Sequence, residues 1–318
     1  MARPILAISG PTACGKTAVG VALARRLGTE IISADSVQVY RRFDIGSAKP
    51  SPEQMAQVRH HLVSVVEPEE EYNAASFQQD ASAIASILLA DGKPPLVVGG
   101  TGLYIKALAE GLNLAAKIGP EALSELERMR MEGGQPLLYQ RLKDADPVWA
   151  ARIHPNDTFR TFRGLGVYLT LGERMSDLFT KSPDRPEWDV LTVVLDVPRE
   201  LLYSRIMARM EAMLAGGWAE EVNMLKEMGY NISVKPMRAV GYRQVFSLCQ
   251  GEMNLAQAKA AIAKGTKALA RRQLTWWRKA RGAVSLRLDG AEPAEHIAEQ
   301  ILRLDEVGDF FISRGISL

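Results

Sequence analysis

The eight residues Gly10-Pro-Thr-Ala-Cys-Gly-Lys-Thr17 constrain this chain more than any other stretch. They follow an apolar, strand-like run, Pro4 to Ile8, and precede a segment, Ala18 to Leu27, with helical periodicity. A glycine-bounded loop set between a strand and a helix turns its backbone N–H groups inward, and the helix adds its positive dipole end. Such a loop suits phosphate oxygens. Gly10, Pro11, Thr12, Ala13, Cys14 and Gly15 would form the cradle, Lys16 would bring a mobile charge, and Thr17 a hydroxyl for Mg²⁺. The motif predicts a bound polyphosphate. It leaves open whether that polyphosphate belongs to a nucleoside triphosphate or to another molecule.

A phosphate loop needs a sheet to stand on, and the flanking sequence supplies one. Strand-like runs at Ile5 to Ser9, Glu30 to Ala34 and Pro95 to Val98 alternate with helical ones ending at Leu27 and spanning Leu103 to Leu108. Alternation of this kind reads as βαβ units on a parallel sheet, with ligands at the strand ends. Strand signals vanish from Glu121 to Arg174, where helices are expected at Glu121 to Met131, Leu137 to Lys143, Pro147 to Arg152 and Asp157 to Leu171. Pro183-Asp184-Arg185-Pro186 then punctuates, and the β-branched run Val190 to Asp196 resumes the core. The expected organisation is an α/β core of residues 1–117 and 186–318 with a helical insertion at 118–185. Long helices are expected at Leu201 to Met228, weakened near its middle by Gly216-Gly217, and at Leu255 to Arg281.

Composition narrows the class. With 318 residues and 47% hydrophobic content the chain can bury a large core. No apolar run approaches the roughly 20 residues that cross a bilayer, and no charged-then-apolar leader precedes the first strand, so the expected compartment is the cytoplasm. Two cysteines, Cys14 and Cys249, argue against a disulfide framework and a structural zinc site. A net charge of +2 announces no nucleic-acid partner globally. Locally, basic residues crowd between Lys259 and Arg287 without an acid. On a helix, Lys264, Lys267, Arg271 and Arg278 fall within about 60° of one another, opposite Ile262, Leu269 and Trp276. That stripe is either a phosphate-backbone contact or a solvated face, and the tryptophans read as core.

Other constellations carry chemistry. Asp35 stands at a strand's end, suited to general-base work or to Mg²⁺ through water, and equally to capping a turn. Gly99-Gly100-Thr101-Gly102 lets backbone approach a ligand and exposes the Thr101 hydroxyl. Arg205 and Arg209 project from one helix face, able to neutralise a leaving polyphosphate or to pair with Glu211 or Glu220. Arg160 and Arg163 share a face of the helix that His154-Pro-Asn-Asp157 introduces. The adjacent pair His60-His61 diverges and chelates no metal by itself.

Taken in order, these segments resemble the bacterial tRNA dimethylallyltransferase family, also called isopentenyl-diphosphate:tRNA transferase. The resemblance rests on the phosphate loop, Asp35-Ser-Val-Gln-Val-Tyr40, Ile45-Gly-Ser-Ala-Lys-Pro50, His60-His-Leu62, Gly99-Gly-Thr-Gly-Leu-Tyr104, His154-Pro-Asn-Asp157, Met237-Arg-Ala-Val-Gly-Tyr-Arg-Gln244 and Arg271-Arg-Gln-Leu-Thr-Trp276. It implies an α/β, P-loop NTPase-like parallel-sheet core with a helical insertion domain. It also implies transfer of a dimethylallyl group from dimethylallyl diphosphate to N6 of the adenosine 3′ to the anticodon, in tRNAs reading codons that start with U. By resemblance Asp35 is the base with Thr101 beside it, and the loop residues Gly10 to Thr17 hold the diphosphate with Arg209 and Arg205. Mg²⁺ sits at Thr17. The tRNA would meet Asp35, Ser36, Val37, Gln38 and Thr101, then Phe159, Arg160, Thr161, Phe162 and Arg163. It would also meet Ala239, Val240, Gly241, Tyr242, Arg243 and Gln244, and the stripe Lys264, Lys267, Arg271 and Arg278. The implied partners are the anticodon stem-loop and the prenyl donor, with no membrane and no obligate protein partner.

The sequence departs from that family's pattern at Cys14 for serine, Ser47 for threonine, Phe159 for a polar residue, and Arg163-Gly-Leu-Gly-Val167 for Arg-Ala-Leu-Glu-Val. Each glycine in that helix costs roughly 1 kcal/mol relative to alanine. The stretch Asn113 to Gly119 lacks the usual Leu-Pro-x-Ala-Asp. A small-molecule kinase remains the alternative that the loop and βαβ pattern alone would favour.

Overall fold

The structure, a computed structural model, describes residues 3–111, 118–180 and 187–314. The punctuation at Pro183 to Pro186, most of the Asn113 to Gly119 stretch and the last residues of the tail lie outside them. The chain divides into two compact units, Met1–Glu110 with Glu187–Leu318, and Gly111–Pro186.

The first unit opens with β1 (Arg3–Ser9), the phosphate loop and α1 (Lys16–Arg26), followed by β2 (Ile31–Ser33), α2 (Pro52–Gln57), β3 (His60–His61), α3 (Ala74–Ala90), β4 (Leu96–Val98) and α4 (Gly102–Glu110). The second unit holds α5 (Pro120–Ala145), α6 (Pro147–Ala151), α7 (Thr158–Leu171) and α8 (Met175–Thr180). The first unit resumes with β5 (Trp188–Asp196), α9 (Arg199–Ala215), α10 (Trp218–Glu227), α11 (Tyr242–Cys249), α12 (Leu255–Lys279), β6 (Val284–Arg287), α13 (Ala294–Leu302) and α14 (Asp305–Ile312).

The strands form one parallel sheet in the order β3-β2-β4-β1-β5-β6. β1 is central, and Ile5, Leu6, Ala7 and Ile8 have no exposure. A strand covered on both faces must be apolar on both, which is why Pro4 to Ile8 runs without polar alternation. Leu6 pairs with Leu96 on one side and Leu191 on the other. Helices then seal the faces, with Val19 and Leu23 of α1, Ile297 of α13 and Phe311 of α14 in the core around Leu6 and Ile8. Because every strand points the same way, their C-terminal ends meet along one edge. There the chain presents the phosphate loop after β1, Asp35 after β2, Thr101 after β4 and α9 after β5.

One expectation is corrected. The long helix expected from Leu201 to Met228 is two helices, α9 and α10, because Gly217 adopts φ 97° and ends the first. The segments expected at Glu121 to Met131 and Leu137 to Lys143 are two helical stretches, parted within α5 where Gly134 takes a non-helical φ of 62° ahead of Pro136.

Inside the second unit, Leu126, Leu138, Leu142 and Leu165 build a small core. Asp157 caps α7, its Oδ1 accepting from the Arg160 N–H at 3.0 Å. The glycines of α7 are explained by packing. A Cβ on Gly164 would fall 2.6 Å from the Trp149 ring, and one on Gly166 would fall 2.5 Å from Ile118. Both helix turns are kept bare so that a tryptophan and an isoleucine can lie against backbone, which offsets their propensity cost.

Candidate active site

The phosphate loop is wound as its sequence requires. Gly10 takes φ 144°, Gly15 φ 100° and Ala13 φ 67°, so the backbone turns tightly before α1 begins. Gly15 caps α1 with no side-chain bond, leaving the helix's first N–H groups directed into the loop. Lys16 Nζ donates to the Pro11 carbonyl at 2.7 Å. Cys14 is 2% exposed, so the thiol that replaces serine is buried beneath the loop rather than presented to solvent.

A cavity of about 520 Å³ opens over this loop, lined by Lys16, Thr17, Asp35, Gln38, Arg205 and Arg209 among others. Asp35 Oδ1 accepts from the N–H groups of Val37 at 2.8 Å and Gln38 at 3.2 Å. One carboxylate oxygen thus caps a turn, one of the roles its sequence position suits, and no described residue donates to Oδ2. Thr101 is tied to the same turn. Its N–H donates to the Ala34 carbonyl, and its Oγ1 accepts from the Ser36 N–H at 3.2 Å. Arg209 donates to the Thr12 hydroxyl. Burial pushes its guanidinium pKa down, and the charge of Asp35 pulls it back up, so the two groups feel each other across the cavity. Arg205 donates to the Gly290 carbonyl at 2.6 Å. Glu211 pairs with Lys259 at 2.6 Å instead of with either arginine.

Part of the remaining wall is apolar, with Met210, Met213, Trp218, Val240, Ile262 and Leu269. Sequence reading missed Met210, Met213 and Trp218 of this wall and two polar residues that hold it, Glu221 and Gln273. Glu221, 7% exposed, accepts from the N–H groups of Asp44, Ile45 and Gly46 and from the Tyr242 hydroxyl, while Gln38 Nε2 donates to the carbonyls of Ser47 and Ala48. Gln273 of α12 bridges the Thr12 N–H and the Gly100 carbonyl. The helical spacing Ile262, Thr266, Leu269, Gln273 was the available signal.

Several expected contact residues also serve the protein's interior. The glycines of Gly99-Gly100-Thr101-Gly102 make room for the protein's own packing, since added Cβ atoms would fall 2.1 Å from the Ala34 carbonyl, 2.5 Å from Gln273 and 2.3 Å from Trp276 respectively, while Gly99 and Gly100 line the cavity. Tyr242 has no exposure and Gln244 is 7% exposed, its Oε1 accepting from the Gly241 N–H, which is itself buried. Gln244 is spent inside the protein, and Tyr242 meets the exterior only as part of the cavity wall. Thr161 is likewise fully buried and accepts from Gln135. Arg160 is exposed but paired with Asp157. Trp277 is the core tryptophan of α12, whereas Trp276 is 36% exposed.

The basic stripe lies on the face of α12 turned away from Gln273. Lys264, Arg271 and Arg278 are exposed, and Lys267 sits over the Tyr203 ring at 5.2 Å. Arg271 and Arg278 rim a second cavity of about 480 Å³ together with Arg199 and Arg287. His61 Nε2 is bonded to Glu30 at 2.7 Å, and no group of three or more potential metal ligands among His, Cys, Asp and Glu occurs among the described residues. No helix among them is long and apolar enough to cross a membrane.

Comparison with known proteins fits this geometry. Residues 38–280 match the family model for IPP transferase, and residues 3–66 match that for isopentenyl transferase. The tRNA dimethylallyltransferase of Symbiobacterium thermophilum is 42% identical over 308 residues, covering 96% of this chain and 95% of that protein. That of Syntrophobacter fumaroxidans is 43% identical over 280 residues, covering 86% and 81%. The crystal structure of the full-length tRNA isopentenylpyrophosphate transferase from Bacillus halodurans superposes with a TM-score of 0.71 at 32% identity, covering 99% of each chain. The small-molecule kinase alternative finds no support in these similarities.

Proposed function

The chain belongs to the IPP transferase family of tRNA dimethylallyltransferases, and from that premise we propose how its cavity works and on what. The donor is dimethylallyl diphosphate, and the acceptor is N6 of the adenosine 3′ to the anticodon, position 37, in tRNAs reading codons that begin with U. One observation carries the reading: a phosphate loop, a strand-end carboxylate and an apolar wall share a single cavity. A kinase needs the first two. The third suits a five-carbon hydrocarbon group.

The diphosphate lies on the N–H groups at the start of α1, with Lys16 exchanging the Pro11 carbonyl for phosphate oxygen. Met210, Met213, Ile262 and Leu269 enclose the prenyl chain and exclude water from the allylic carbon. As the bond from that carbon to oxygen breaks, its electron pair leaves with the diphosphate, and the half-buried Arg209 stabilises the added charge. The N6 nitrogen bonds the carbon and gives its proton to Asp35. Thr101 holds the Asp35 turn through Ser36 and lies beside that transfer.

The donors present fit Mg²⁺. Thr17 brings one hard oxygen at the loop, and no protein cage surrounds it among the described residues, which matches an ion that keeps its waters and travels with a diphosphate. Bound at Thr17, it would offset phosphate charge. The acceptor base must leave its stack to reach Asp35. We assign the tRNA contacts to side chains that are exposed or, for Arg163 and Lys267, half-buried. Phe159, 81% exposed, suits stacking on an unpaired base, and Arg160, Arg163, Arg243 and the stripe Lys264, Lys267, Arg271 and Arg278 suit phosphates. Such a substrate places the enzyme in the cytoplasm.

The test is transfer of label from radiolabelled dimethylallyl diphosphate into unmodified tRNA. ATP turnover with no label reaching the tRNA would refute the assignment.

A further inference from the structure

Gln273 belongs to a motif, Arg271-Arg-Gln-Leu-Thr-Trp276, that the reaction as described leaves without a role. It spans two loops that come from different strands. Its Oε1 accepts from the Thr12 N–H at 2.8 Å, and its Nε2 donates to the Gly100 carbonyl at 2.9 Å. Each loop continues to a reacting partner. Thr12 holds Arg209 through its hydroxyl, on the side where the leaving group departs. Gly100 precedes Thr101, which binds Ala34 and Ser36 on either side of Asp35, the side where the proton is taken.

The fit is close. A Cβ on Gly100 would fall 2.5 Å from Gln273 Nε2, so an alanine there would push the amide out of this position. Gly100 does not adopt a positive φ, so its lack of a side chain answers to Gln273 and not to backbone strain.

We propose that Gln273 is a positioning residue that fixes the separation between the leaving-group cradle and the proton acceptor. The inference rests on the prenyl-transfer reading above. Both polar atoms of the Gln273 amide are spent on the protein's own loops, so the residue acts through them. Its contribution is a near-attack geometry, and a displacement of about 1 Å costs on the order of 100-fold in rate.

The experiment is a double-mutant cycle read by single-turnover prenyl transfer, with dimethylallyl diphosphate affinity measured by calorimetry and tRNA affinity by filter binding. Gln273→Ala and Gly100→Ala should each lower the rate roughly 10- to 100-fold while both affinities stay within about threefold. In the double variant the alanine at 100 meets no amide, so its rate should match Gln273→Ala alone. Gln273→Met keeps the side chain's length without its hydrogen bonds and carries the same expectation if the alanine variant melts early. Gln273→Glu adds a readout that a packing role would not move. Its rate relative to the wild type should rise as pH falls, because a protonated carboxyl regains the donor to Gly100. A Gln273→Met rate within twofold of the wild type, or additive losses in the cycle, overturns the proposal. A wild-type enzyme that transfers no label refutes the prenyl-transfer reading instead.

Discussion

Replacing Glu221 with alanine tests how the outer wall of the cavity is held. Its buried carboxylate accepts four hydrogen bonds, from Asp44 N–H at 2.9 Å, Ile45 N–H at 2.6 Å, Gly46 N–H at 3.3 Å and the Tyr242 hydroxyl at 2.7 Å. Tyr242 has no exposure, so its hydroxyl cannot turn to water, and a stranded buried donor costs about 1–3 kcal/mol. The three backbone donors lie on a loop that can reach solvent only by leaving its place, which adds roughly 1–2 kcal/mol. The sum is a loss of about 3 kcal/mol, read as a lower urea midpoint at unchanged slope. Gly46, Ser47 and Ala48 of that loop line the cavity, so KM for the prenyl donor should rise more than kcat falls. Glu221→Gln keeps one acceptor oxygen and sets an N–H₂ group against a donor, and should lose about 2 kcal/mol. A Glu221→Ala variant that loses less than about 1 kcal/mol would refute the argument that this carboxylate organises the loop.

Asp35→Asn keeps the oxygen that caps Val37 and Gln38 but cannot take a proton, so single-turnover transfer should fall about 10²- to 10⁴-fold with tRNA binding unchanged; a loss confined to binding would sink the base assignment. Gly164→Ala should destabilise the second unit by about 1–2 kcal/mol in urea unfolding, because overpacking against Trp149 exceeds the roughly 1 kcal/mol gained in helix propensity; a more stable variant would overturn the packing account. Hydrogen bonds from Lys93 and His61 hold the Glu30 carboxyl below its ordinary value against the opposing effect of burial. A depressed carboxylate stabilises the fold fully above its unfolded pKa and loses that contribution as pH falls through the folded value, so the deficit of Glu30→Gln should be largest near neutrality and close in acid, as urea midpoints from pH 7 to 3 would record.

The sheet was legible where physics left one choice. β1, β2, β4 and the apolar part of β5 are buried on both faces, so their sequences are uninterrupted apolar runs. β3 and β6 are edge strands of two and four residues, and β6 alternates half-buried with exposed positions, too short a pattern to separate from loop. α3 hides differently. Its buried face is Ala74, Phe77, Ala81, Ala85 and Leu88, and a stripe of alanines gives little hydrophobic contrast against the helix's other side.

The site divides along similar lines. Glycine spacing, a lysine and a carboxylate at a strand end mark themselves, because few structural roles require them together. Tyr242, Gln244 and Thr161 sit in segments that resembled contact surfaces, yet each spends its polar group inside the protein, and nothing in the chain's order distinguishes an inward hydroxyl from an outward one. α12 makes the point most sharply. Its charges, Lys264, Lys267, Arg271 and Arg278, draw attention to one face, while the opposite face, Ile262, Thr266, Leu269 and Gln273, lines the cavity. Those four residue types are what any buried helix face contains. Gln273 becomes meaningful only once two loops more than 80 residues apart in the chain are seen within 3 Å of its two amide atoms, and that proximity is a product of the parallel sheet, which gathers strand ends the sequence keeps far apart.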